Sequence, residues 1–146
     1  MTLLPVLVGL LLAGPVSEKP AIIVEAGQLP AKIAKATVIS PADGPPIVLY
    51  EAASQTDQQI GDFVVIAFVF RADGSLKAKQ QAPGRHLLEK HETKYSTLVL
   101  DVKMIGGIDP TDTIVIGMTR LQYDGSDRWV EADVQPAAEA AVPKKR

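Results

Sequence analysis

One stretch constrains the fold of this chain more than any other: Ile60 to Lys79, IGDFVVIAFVFRADGSLKAK. Phe63 to Phe70 is an uncharged run of Phe, Val, Ile and Ala. Such a run suits a strand buried on both faces and is too short to span a membrane as a helix. Asp73-Gly74 follows, and then Leu76-Lys77-Ala78-Lys79 alternates apolar and basic. Glycine supplies the positive φ of a tight turn, so Asp-Gly between two such segments predicts a β-hairpin. Lys77 and Lys79 fall on one face of the returning strand, where lysines keep a sheet edge soluble.

Punctuation elsewhere repeats the theme. Strand patterns occur at Ala21–Glu25, Lys32–Ile39, Ile47–Ala52, Tyr95–Val102, Thr113–Tyr123 and Asp127–Asp133. Between them stand Gly27 and Pro30, the turn-rich SPADGPP of Ser40–Pro46, Pro83-Gly84, Gly106-Gly107, Asp109-Pro110 and Asp124-Gly125. Gly117, inside the longest late strand, marks a bulge or a close approach of backbones. About seven strands, with turn signals every 8–12 residues and no long amphipathic helix, predict an all-β, immunoglobulin-like β-sandwich. A small β-barrel is the alternative, since the same alternation serves both.

The 146 residues suit one domain, and a net charge of −2 offers no global attraction to nucleic acid. Cysteine is absent, which excludes disulfides, thiol catalysis, thiolate metal sites and a lipidated cysteine. Leu3–Ala13, LLPVLVGLLLA, has the length and character of a signal-peptide core, followed by the small and turn-prone Gly14, Pro15 and Ser17. The expected organisation is a signal peptide or apolar segment at 1–17, a β-sandwich domain at 18–134, and a disordered tail at 135–146. The tail, QPAAEAAVPKKR, shows no period-2 pattern and little bulk to pack.

The order of a polar loop, an apolar strand, Phe70-Arg71-Ala72-Asp73-Gly74-Ser75-Leu76, Pro83-Gly84, and Tyr95 to Val102 carries a resemblance. It resembles the FxLYD-type immunoglobulin-like domains of bacterial envelope proteins, over about residues 36–131. Phe68, Phe70, Asp73, Gly74, Leu76, Pro83, Gly84, Leu98 and Val102 are the matching positions, and Tyr123-Asp124-Gly125 with Trp129 is similar to a terminal hairpin of comparable domains. What the resemblance implies is a non-catalytic accessory or interaction module.

No residue pattern points to catalysis. His86 and His91 lie five apart, about 140° around a helix, and no distant ligands can be nominated to join them around a metal. Asp109 with Asp112, or Asp124 with Asp127, could contribute to a calcium loop, but the D-x-D-x-D-G spacing is missing and Asp is the default turn former. There is no G-x-S-x-G elbow, and Gly106-Gly107 lacks the Lys-Ser/Thr of a phosphate loop. No metal or other cofactor is expected. Tyr95, Tyr123 and Trp129 are the candidate interaction surface, as an aromatic platform for a peptide or a sugar. The expectation is an exported (periplasmic or secreted), non-enzymatic module that binds a protein partner in the cell envelope. A small-ligand carrier with an apolar cavity is the alternative. No nucleic acid and no stable membrane span after signal removal are expected.

Overall fold

Alternation along the central strand divides its side chains between two separate cores. The structure, a computed structural model, describes residues 16–144. Its strands are β1 (Val16–Pro20), β2 (Ile22–Ile23), β3 (Ala31–Pro41), β4 (Ile47–Ser54), β5 (Ile60–Phe70), β6 (Leu76–Pro83), β7 (Thr93–Val99), β8 (Thr113–Tyr123) and β9 (Trp129–Glu131). Two short helices, α1 (Val102–Ile105) and α2 (Gln135–Ala141), complete it. Every residue from Phe63 to Phe70 is buried. Phe63, Val65, Ala67 and Val69 join the core between the sheets, whereas Ile66, Phe68 and Phe70 join a second cluster on the opposite face.

Four strands form one sheet in the order β1-β3-β4-β7. The other runs β2-β8-β5-β6, with β9 also paired to β8. Connections β4→β5, β6→β7 and β7→β8 each pass between the sheets, and neither sheet closes on itself. The fold is therefore an all-β sandwich, as the punctuation predicts, and not a barrel. The strand count reaches nine once Glu18–Pro20 pairs with β3, while the expected strand Ala21–Glu25 is cut to β2, which pairs in parallel with β8. The hairpin at Asp73-Gly74 forms as expected: Gly74 has φ +87°, the Gly74 N–H donates to the Arg71 carbonyl, and Arg71 N–H donates to Ser75. Asp73 accepts from the Ser75 hydroxyl and amide, which holds its carboxyl below the usual range.

Two local expectations are corrected and one alternative is decided. The tail is not disordered over Gln135–Ala141, which is helical, with Ala138 and Val142 buried against Phe68 and Phe70. A strand buried on both faces needs a cover on each, and small alanines let this helix lie close to the sheet. Tyr95–Val102 does not continue as strand to its end. Asp101 caps α1, accepting from the Lys103 N–H at 2.9 Å, so Val102 belongs to a helical turn. Gly117 is the close approach: a Cβ there would lie 2.9 Å from the Val24 carbonyl oxygen. The apolar segment at Leu3–Ala13 lies outside the described residues, while Val16 and Ser17, the last of that expected segment, begin β1.

Candidate interaction surface

The two sheets differ in what covers their outer faces. That of β2-β8-β5-β6 lies beneath α2. That of β1-β3-β4-β7 has no element packed across it among the described residues. Burial alternates along β4, so that Val48, Tyr50 and Ala52 face the core and Ile47, Leu49, Glu51 and Ala53 face out. Register then lines up rows across the sheet: Ile39, Ile47 and Val99 in one, Thr37, Leu49 and Thr97 in the next, and Lys35, Glu51 and Tyr95 in a third. Over β3, β4 and β7 the first two rows make an uncharged band, with Val99 exposed and Ile39, Ile47 and Leu49 half-buried, and Glu18 of β1 closes the first row. Beyond β7 the band runs on to Val102 of α1, which is exposed and shares a groove with Val99. A shallow groove at this end is lined by Pro45, Val99, Leu100 and Val102, with Asp43 and Lys103 among its flanking residues. Exposed apolar residues that adjoin one another mark contact surfaces far better than scattered ones do.

The edge of β7 borders this band. Leu100 N–H donates to the Pro46 carbonyl on the β4 side, so the alternate residues Tyr95, Thr97 and Val99 turn their backbone groups away from β4. At one end the Gln80 carboxamide covers that edge, donating to the Val99 carbonyl at 2.8 Å and accepting from the Asp101 N–H at 2.9 Å. Nearer Tyr95 the edge has no strand beside it.

No family model, curated protein or solved structure matches this chain. The residues themselves therefore carry the functional reading.

Tyr95, Tyr123 and Trp129 are not brought onto one platform. Tyr95, 64% exposed, projects from β7 beside Glu51, whose carboxylate raises its phenol above the usual value. Tyr123 sits on the other sheet and packs against the main core. Trp129, on β9, has the Arg120 guanidinium 4.7 Å from its ring centroid, an intramolecular cation–π contact. Of the three, Tyr95 alone borders the uncharged band. Val102 escapes a reading by alternation, because Tyr95–Val102 reads as one strand with Val102 inward beside Leu98 and Leu100, until the Asp101 cap turns the chain.

The histidines and acids are placed apart. His91 meets Asp57 at 2.7 Å in an exposed pair, and His86 is exposed on the crossover to β7. Among the described residues no three His, Cys, Asp or Glu side chains gather as a metal site. Asp112 is 4% exposed, and its carboxylate takes 3.0 Å from Lys77 Nζ and 2.8 Å from the Asp109 N–H. Lys77 also donates to the Gly107 carbonyl at 2.8 Å, and Lys19 of β1 donates to the Asp112 carbonyl. Lys77 is thus not the solvated edge lysine that alternation suggests. It ties the Gly106–Asp112 corner to β6, and this arrangement positions a loop. Lys79, by contrast, reaches out to Gln135 of α2 at 3.0 Å.

Proposed function

We propose that this chain is an exported, non-enzymatic β-sandwich module that binds a protein partner in the cell envelope. One observation carries the reading: of two outer sheet faces, one is covered by the chain's own helix, and the other presents the band Ile39–Ile47–Leu49–Val99, extended by Val102. Binding through an uncovered sheet face and its edge needs no catalytic group. The signal-like segment Leu3–Ala13 and the resemblance to FxLYD-type envelope domains support the compartment. No helix among the described residues is long and apolar enough to cross a membrane.

The carrier alternative draws its motive from the two-sided apolar run of β5, and packing uses both sides of that run. A crevice of about 30 Å³ between Val24, Ile33 and Met118 has room for a water or two. The test is capture from envelope extracts by the tagged protein, compared with Val99→Glu and Val102→Glu variants. A partner retained by the parent and lost by folded variants is the expected result. Capture that is indifferent to both substitutions overturns the reading. N-terminal sequencing of the protein recovered from the envelope fraction tests export.

A further inference from the structure

Sheet edges invite pairing with other chains, and proteins blunt them with lysine, proline or brevity. Three edges of this sandwich are blunted in those ways. Strand β1, VSEKP, carries Glu18, Lys19 and Pro20. Strand β6, LKAKQQAP, carries the exposed Lys79 and Pro83. On the remaining edge β2 has two residues and β9 has three. The edge of β7 differs. Among the described strands it alone presents a long window, Tyr95 to Val99, with neither charge nor proline. Its one charged residue, Lys94, stands at the end of the strand outside that window, donating to the Leu87 carbonyl at 2.9 Å and pairing with Glu92 at 3.4 Å.

The geometry points to a second copy of this chain as the occupant of that edge, paired antiparallel, β7 to β7, about a two-fold axis beside Ser96. The inference rests on the interaction-module reading and gives its edge a partner. The window itself selects the register. Gln80 occupies the Val99 carbonyl and the Asp101 N–H, which leaves the outward backbone groups of Thr93, Tyr95 and Thr97 and the Val99 N–H. An antiparallel pair centred on Ser96 sets Tyr95 opposite Thr97 of the second copy and Thr93 opposite its Val99. Every outward group in the window except the Thr93 N–H then has a partner, because Gln80 of each copy holds the Val99 carbonyl that this N–H would use.

Side chains agree with that register. The exposed positions are Thr93, Tyr95, Thr97 and Val99, so no like charges meet across the axis, and an aromatic residue opposite threonine is a favourable cross-strand pair. The paired segment ends at Thr93 and Val99, where the chain leaves the strand for the turn at Glu89–Glu92 on one side and the Asp101 cap of α1 on the other. A two-fold pair also closes the assembly, since it leaves β7 no free edge for a third chain. The two four-stranded sheets become one sheet of eight strands.

Sedimentation of the full chain, as wild type, Thr97→Lys and Thr97→Pro, tests this. The Thr97 N–H points off the sheet, so proline there removes no hydrogen bond of the single copy. Expected are a dimer for the wild type and, for both variants, an at least ~10-fold weaker self-association with an unchanged circular-dichroism spectrum. A wild type that is monomeric up to high micromolar concentration, or a dimer indifferent to both variants, overturns the proposal. Amide hydrogen exchange gives a reading that needs no variant. Slow exchange at Tyr95 and Thr97 that quickens on dilution supports the pairing, and fast exchange at every concentration sinks it. Monomeric protein that still captures an envelope partner, and loses it on Val99→Glu, removes the second copy while leaving the interaction module standing.

Discussion

Lys77 and Asp112 stand 35 positions apart and meet at 3.0 Å, with side chains 15% and 3% exposed. Their pairing draws the Gly106–Asp112 corner onto β6, while Lys19 ties the same corner to β1. One buried carboxylate residue thus links the two sheets at an end where the backbone turns through Gly106 and Gly107, both at positive φ. Removing one partner of a buried ion pair leaves the other charge desolvated.

Lys77→Met is therefore expected to cost about 3 kcal/mol, read as a lower urea midpoint at constant slope. The double change Lys77→Met with Asp112→Leu should recover much of that loss, because no buried charge is then left alone. Equal destabilisation by the single and double variants would show that the pair is not the cause.

Gly84 gives a second prediction, from contact rather than charge. Its N–H donates to the Phe63 carbonyl at 2.8 Å, and a Cβ built on it would fall 2.1 Å from Phe63 Cζ. Phe63 is fully buried, so the ring cannot swing into solvent. Gly84→Ala should cost about 2–3 kcal/mol through forced repacking. Paired with Phe63→Leu, the alanine should cost much less than it does alone. An additive double-mutant cycle would refute the steric account.

How much of this was legible without coordinates depends on the range over which each feature is decided. The central strand, the Asp73-Gly74 hairpin and strand Thr113–Tyr123 are local: run length, a glycine and alternation specify them. Helix α2 is not. Its apolar face consists largely of alanine, too small to register as an amphipathic stripe, and its burial depends on Ile66, Phe68 and Phe70 some 70 residues earlier. Lys77 misleads for the same reason, since its partner comes from a corner beyond β7. Tyr95, Tyr123 and Trp129 share a residue class, but the fold sends them to different sheets. The band Ile39–Ile47–Leu49–Val99 becomes visible only when three strands are laid in register.

Because α2 covers Phe68 and Phe70, Ala138→Asp places an unpaired carboxylate against apolar side chains. A loss of about 2–4 kcal/mol is expected, with new binding of a hydrophobic dye. Ala137, only partly buried, should tolerate Asp better. If stability is unchanged and the tail is cleaved by protease as fast in the parent as in the variant, the helix does not cover the sheet in solution.

Tyr50 supplies the pH dependence. It lies on β4 facing the core, with Ser96 opposite it on β7 and no completed hydrogen bond to its hydroxyl. Burial raises its pKa above the ordinary 10. The folded state therefore holds the phenol proton above pH 10, where the unfolded chain releases it. Stability from this group is complete below pH 10 and falls as pH rises from there toward the raised folded value. Tyr50→Phe removes both the titration and an unpaired buried hydroxyl, so it should be neutral or stabilising by up to about 1 kcal/mol at pH 7. Its stability should also decline less steeply than that of the parent between pH 10 and 11. Urea unfolding at pH 7, 10 and 11 checks both parts. Parallel stability curves for the two proteins would mean that the hydroxyl ionises as readily in the fold as in the unfolded chain, and hence that water reaches it.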